Sequence, residues 1–280
     1  MRLAAPLLLL LASACDQGGA AVRDGKVHVV ATTGMVADLA REIGGDGVVV
    51  EALMGPGVDP HLYKASKGDL DRLRAADLVL YNGKGLEGKM GDIFVKLARE
   101  QPVLAVTDSI PDERLLEPPE LEGHYDPHVW FDVALWAECV GPVARELAKL
   151  DPANRASYES RADAYAARLR ALHGEVRAAL AAVPRERRVL LTSHDAFRYF
   201  GRAYDLDVRG LQGISTVADA GVKDVQDMVD LIVGRGIKAI FVESSVSPKA
   251  IEAVQAHVRQ RGREVAIGGT LYSDAMGDTP

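Results

Sequence analysis

Cysteine is nearly absent: Cys15 and Cys139 are the only two in 280 residues. No disulfide framework can brace this chain, so a packed core must hold it. A basic surplus is missing as well. The formal net charge is −7, which argues against a phosphate-backbone partner such as nucleic acid. The one basic cluster, "PRERR" at 184–188, falls at a helix-to-strand joint and reads as a solvated linker. Past the N-terminus no apolar run reaches bilayer-spanning length without charges. Complete P-loop (GxxxxGK[ST]) and GxSxG sequences are missing from every strand-to-helix turn, which removes the usual P-loop nucleotide and serine-hydrolase chemistries. HExxH is missing too.

What is present begins with "MRLAAPLLLLLASAC": one basic residue, an apolar run from Leu7 to Leu11, and small residues leading to Cys15. This is the pattern of a cleaved secretory signal, too short to stay as a membrane helix. The stretch 11–15 resembles the lipobox of bacterial lipoproteins with its leucine one place early, which makes Cys15 the candidate lipidation site. Ordinary cleavage after Ala-Ser-Ala is the alternative. Cys139 lies in an amphipathic helical stretch and reads as a buried thiol. With 48% hydrophobic residues the chain can build substantial cores.

After the spacer 16–26, strand-like runs alternate with helix-like ones. "KVHVVATTG", "GVVVEALM", "ADLVLYNG" and "QPVLAVTDS" read as strands, with helices such as "MVADLAREIGG", "KGDLDRLRAAD" and "KMGDIFVKLARE" between them. That alternation predicts a parallel sheet covered by helices, closed by "VALWAECVGPVARELAKL". Then Asp151 as cap, Pro152 at the first helical position and Pro184 as stop bound one long helix. Its apolar residues Tyr158, Ala162, Tyr165, Leu169, Leu172, Val176, Leu180 and Val183 recur at three and four, predicting a single buried stripe. The alternation then resumes: "RRVLLTS", a strand near 206–208, "IKAIFVES" and "REVAIGG" are strands, and "HDAFRYFGRAY", "KDVQDMVDLIVGRG" and "SPKAIEAVQAHVRQRG" are helices, the last capped by Ser247. The expected fold is α/β, with two (β/α) lobes, 26–150 and 184–280, joined by a linking helix over 151–183.

Ligands in parallel α/β sheets gather at the carboxyl ends of strands. His61 and His128 stand there in two Asp-Pro-His loops, "DPHLYKAS" and "DPHVWFD"; His194 follows "RRVLLTS" and Asp274 follows "REVAIGGTLYS". Three imidazoles and one carboxylate suit a divalent first-row metal. Proline before each histidine lowers the entropy lost when the loop is pinned. Asp59 and Asp126, which open the two motifs, are placed to accept from a backbone N–H or to orient the ligand ring. Glu243 ends an apolar strand and is expected to hold a ligand or a loop in place rather than to be a fifth ligand. His28, His173 and His257 have no ligand-type neighbour at metal spacing.

Taken together, "GPGVDPHLYKAS", "YDPHVWFD", "TSHDAFRYFGRAY", "FVESSVSPKAI" and "LYSDAMGD" resemble, in order and over nearly the whole mature chain, the zinc/manganese solute-binding lipoproteins of bacterial ABC importers. The resemblance implies one Zn²⁺ or Mn²⁺ held between two lobes by His61, His128, His194 and Asp274. It also implies a monomer on a lipid anchor at the outer face of the cytoplasmic membrane, serving an ABC permease. Histidine at the third position is similar to the branch that takes zinc as well as manganese. Two departures stand out. The long His-rich loop of dedicated zinc binders is reduced here to "EPPELEGHYDPH", leaving His124 as an exposed loop histidine. Family members also continue past "SDAMGD" into a last helix, whereas this sequence stops at Pro280, so either the chain is truncated or that lobe is finished differently, and Asp274 is expected to fray.

Two other readings compete. A zinc hydrolase would use three ligands, a metal-bound water and Glu243 as general base. A fourth protein ligand would fill the open position such an enzyme needs. A surface adhesin, a label sometimes given to this family, draws no separate support from the sequence.

Overall fold

The computed structural model describes residues 25–277. Cys15 and the signal-like segment lie outside the described residues.

Four strands, β1 (Val27–Ala31), β2 (Val48–Ala52), β3 (Leu78–Tyr81) and β4 (Val103–Ala105), form a parallel sheet in the order β2-β1-β3-β4. Alternation along the inner strands sorts their side chains onto two cores. Val29, Ala31, Leu78 and Leu80 pack with Val36, Leu39 and Ile43 of helix α1 (Gly34–Gly44). Val30 and Val79 point to the other face, where Leu73 of α2 (Lys67–Ala75) and Phe94 and Leu97 of α3 (Gly91–Leu97) cover them. Thr33 caps α1, and Ser66 with Asp69 forms a reciprocal capping box on α2.

The expected closing helix is broken. It runs as α4 (Val133–Trp136), a 3-10 turn through Cys139, and α5 (Val140–Leu150). Cys139 is fully buried and unpaired, and burial pushes its thiol pKa up, so it behaves as a small apolar group.

The long helix exists, with a different start. Pro152–Asn154 is a 3-10 turn, and α6 runs from Arg155 to Ala181, 27 residues, or about 40 Å. Asp151 makes no side-chain cap, since its carboxylate accepts instead from Tyr158 Oη at 2.8 Å and Asn154 Nδ2 at 2.6 Å. The apolar stripe is buried only in its first half. Tyr158, Ala162, Tyr165 and Leu169 join the first lobe's core, whereas Leu172 is 44% exposed and Val176, Leu180 and Val183 are half-covered. The second half of α6 has left the first lobe behind.

Beyond it, β5 (Val189–His194) pairs in parallel with β6 (Asp207–Gln212), and β7 (Ala239–Glu243) with β8 (Ala266–Leu271), with β5 beside β7. A separate core of Leu191, Leu211, Ile232, Ile240, Val254 and Val258 lies beneath α8 (Val222–Arg235) and α9 (Lys249–Gln260). Pro248 stands at the N-cap of α9 with no side-chain cap, so the capping expected of Ser247 is not made. β8 is an exposed edge strand. Helix α7 (Arg198–Tyr204) crosses the seam: Tyr199 is buried in the first lobe's core, and Phe197 packs on Phe131 with centroids 4.2 Å apart. No helix among the described residues is long and apolar enough to cross a membrane.

The split stripe on α6 predicts unequal costs. Leu169→Ala should lower unfolding free energy by about 2–4 kcal/mol and Leu172→Ala by less than about 1 kcal/mol, as read from urea denaturation of the metal-free protein.

Candidate metal centre

Two candidate residues sit where a strand has just ended, and two in the longer loops that follow β2 and β4. His61 and His128 occupy loops of the first lobe, His194 is the last residue of β5, and Asp274 lies three residues beyond β8. All four are buried, at 4% exposure or less. One ligating atom from each falls within 4.8 Å of all the others.

The distances are those of a coordination polyhedron. Asp274 Oδ1 is 3.3 Å from His128 Nε2, and Oδ2 is 3.2 Å from His194 Nε2 and 3.5 Å from His61 Nε2. His61 Nε2 and His128 Nε2 are 3.3 Å apart. A tetrahedral ion with bonds of about 2.0–2.1 Å has ligand–ligand edges of about 3.3–3.4 Å. Both Asp274 oxygens and His194 Nε2 have no aligned hydrogen-bond partner among the described residues. Buried polar atoms left so are costly, and a shared cation satisfies all of them at once. With both carboxylate oxygens turned inward the set can supply four or five donors.

The two Asp-Pro-His loops share one device. Asp59 Oδ1 accepts from His61 N at 2.8 Å, and Asp126 Oδ1 accepts from His128 N at 3.0 Å, a local turn that folds each loop back on its own histidine. Their remaining bonds differ. Asp126 Oδ1 also lies 2.7 Å from His128 Nδ1 and so orients the ring, while Asp59 Oδ2 accepts from Thr216 Oγ1 across the seam at 2.5 Å. Glu243 serves His194 twice: Oε1 accepts from its backbone N–H at 2.8 Å, and Oε2 is 2.5 Å from Nδ1. With Nδ1 occupied, His128 and His194 both turn Nε2 inward.

Charge follows from this geometry. Burial alone would push His128 down, but the carboxylates of Asp126 and Asp274 outweigh it and lift the imidazole to about 9. His194 is likewise raised well above the usual value, burial being overcome by Asp274 and Glu243. Burial works against the Asp274 anion, yet the two imidazoliums hold its carboxyl well below the usual range. His61 is the exception: burial, offset only in part by Asp274, drops it to about 3, so it is neutral and its Nε2, 3.3 Å from His128 Nε2, is an acceptor.

His61 is also the one of the four that lines an open cavity of about 360 Å³, with Lys84, His124, Tyr125, Pro127 and Ser215 on its other sides. His124 is thus exposed at the mouth and away from the cluster. His173 contacts Tyr204 Oη at 3.1 Å, His257 lies in the last turn of α9, and the backbone N–H of His28 donates to Asp77 within the first lobe. The expected fraying at Asp274 is not found. Trp130 Nε1 donates across the seam to Ser273 O at 3.2 Å, Ser245 and Ser273 hydroxyls are 3.1 Å apart, and Ala275 is buried.

Three residues at the seam were not foreseen from sequence. Trp130 stood inside a motif but gave no sign of its indole bond. Tyr199 Oη donates to Asp126 O at 3.1 Å and accepts from Leu116 N at 3.0 Å. Thr216 is 157 positions from its partner Asp59, and no local pattern marks such a pairing.

The family described as zinc-uptake complex component A, periplasmic, matches residues 29–280. The manganese-binding lipoprotein MntA of Bacillus subtilis (strain 168) is 48% identical over 256 residues, 91% of this chain and 83% of that protein. The zinc-binding protein TroA of Treponema pallidum (strain Nichols) is 48% identical over 258 residues, 92% of this chain and 83% of that one. The solved structure of the periplasmic zinc-binding protein TroA superposes with a TM-score of 0.88 over 91% of both chains. A match of this extent, together with the fold, shows that the chain belongs to the periplasmic component A family of zinc-uptake complexes.

Proposed function

We propose that this protein captures one Zn²⁺ or Mn²⁺ outside the cytoplasmic membrane and delivers it to an ABC permease. In this reading His61, His128, His194 and Asp274 are the ligands, and the protein acts as a monomer held by a lipid on Cys15. The observation that carries the proposal is the convergence of four buried donor atoms within 4.8 Å. Relatives named for manganese and for zinc support the choice of ions. The lobe limits 26–150, 151–183 and 184–280 belong to the same proposal. Two separate cores support them, with Tyr199 of the second segment packed into the first core.

Capture begins at His61, the neutral imidazole at the mouth. The ion then displaces the Nε2 protons of His128 and His194 while Asp126 and Glu243 keep the Nδ1 protons, and Asp274 offsets part of its charge. α6 spans both lobes as a rigid rod, and the aromatic packing at α7 limits opening to a modest movement. Release then depends on the permease weakening a site that cannot swing wide. Geometry and supply must select manganese if it is the cargo, because nitrogen donors favour zinc. The hydrolase alternative is disfavoured by Glu243, whose Oε1 accepts from the His194 backbone N–H and whose Oε2 lies 2.5 Å from His194 Nδ1, a placement that suits holding the ring.

Chelator competition tests the site. The wild-type chain should bind one Zn²⁺ per chain, and His128→Ala or Asp274→Ala should weaken binding by at least about 100-fold; equal affinity in those variants would contradict the assignment.

Acidification supplies a second check with a definite sign. In the metal-free site the carboxylates of Asp126 and Asp274 lift His128 to about 9, and Asp274 and Glu243 hold His194 well above its ordinary value, so binding must expel protons. Affinity should therefore rise with pH through neutrality. Calorimetry in buffers of different ionisation enthalpy should report about two protons released per ion at pH 7.

A further inference from the structure

Glu87 is a buried carboxylate that the metal site does not use. It is 3% exposed, and among the described residues no cation pairs with it, the nearby Lys84 Nζ being 3.0 Å from Asp108 instead. Its partners are all donors: Thr32 Oγ1 at 2.7 Å and Asn82 N at 2.7 Å to Oε1, and Gly83 N at 3.3 Å to Oε2.

The turn it holds is strained. Gly83, Lys84 and Gly85 have φ of 91°, 53° and 83°, and Lys84 is one of two non-glycine residues in the left-handed region among those described. Such a residue costs about 1 kcal/mol or more, and it persists where surrounding bonds over-determine it. They do here. Thr107 grips the Asn82 carbonyl through both Oγ1 (2.6 Å) and N (3.2 Å), opposite the grip of Glu87 on the Asn82 amide.

With its backbone held on both sides, Asn82 points its side-chain amide one way. Nδ2 donates to Pro127 O at 3.0 Å and Gly83 O at 3.1 Å, and Asn82 itself is 1% exposed. Pro127 O also accepts from Val129 N at 2.9 Å. The carbonyl immediately before His128 is thus fixed by one donor from its own loop and one from a loop 45 positions away.

We propose that Asn82, set by Glu87, is a positioning residue for the metal site: its amide clamps the Pro127 carbonyl and so fixes the His128 backbone, while Asp126 fixes the ring. The clamp complements the Asp126 bond because a ring orientation is useful only if its Cα cannot shift. This inference rests on the reading of His128 as a ligand, but the clamp itself exists without metal and can be measured without it.

The test compares Asn82→Leu, which removes the donors at similar volume, with Gln101→Leu, which removes a side-chain bond of the same lobe, Gln101 Nε2 to Leu73 O at 2.7 Å, without touching Asn82, Glu87 or Pro127. Hydrogen exchange of the metal-free proteins is read at the His128 and Val129 amides, then Co²⁺ is loaded and followed by its d–d absorption and its loss to chelator. Asn82→Leu should speed exchange and Co²⁺ dissociation about tenfold and alter the d–d bands, with Gln101→Leu staying within about twofold. Glu87→Gln, which keeps shape but weakens the grip on Asn82 and Gly83, should move the same readouts in the same direction by less, and it decides the matter if Asn82→Leu does not fold. Exchange and dissociation unchanged in the Asn82 and Glu87 variants, or moved equally by Gln101→Leu, would overturn the clamp. A wild-type chain that bound no Co²⁺ would instead overturn the metal reading, leaving the exchange comparison to judge the clamp alone.

Discussion

Asp274 places a negative charge where water does not reach, with both oxygens turned toward three imidazole nitrogens at 3.2–3.5 Å. A lone buried carboxylate would be protonated or excluded. Two imidazoliums compensate it in the metal-free protein, and a divalent ion would take over that role with better geometry and no protons. The rest of the structure can be read as the support this exchange needs. Asp126 and Glu243 hold two of the rings by Nδ1, Asp59 and Asp126 fold the histidine loops, and Trp130 ties the Asp274 loop back to the opposite lobe.

The site is also asymmetric in a way that orders events. His61 is neutral and faces the open cavity, whereas His128 and His194 are charged and lie deeper, each against a carboxylate. In the proposed function an arriving cation would meet the neutral His61 first and the protonated imidazoles second, so repulsion would be met only after one bond had formed. Trading protons for the ion keeps the net charge of the buried cluster nearly constant. That limits the desolvation penalty that would otherwise oppose bringing a dication into a dry seam.

Much of this was legible in the sequence because it is written locally. The period-two strands, the three-and-four spacing of α6 and the Asp-Pro-His turns each depend on neighbours within a few residues, and Asp59 and Asp126 do accept from the backbone of the histidine two places on. What was not legible depends on contacts between distant segments. Leu172 continues the stripe of α6 yet is exposed, since periodicity says which face is apolar but not where the covering lobe ends. Fraying was expected at Asp274 from its place near the end of the sequence, but Ser273 is anchored by Trp130, 143 positions earlier. Asp151 precedes a 3-10 turn instead of the long helix itself, and its Oδ2 accepts from Tyr158 and Asn154 side chains.

Anomalous diffraction from crystals of the metal-loaded protein, collected at the zinc or manganese edge, addresses the central claim most directly. The account predicts one peak per chain at the seam, about 2.0–2.2 Å from an imidazole nitrogen of His61, His128 and His194 and from a carboxylate oxygen of Asp274. A peak elsewhere with these four side chains still paired to one another would contradict it.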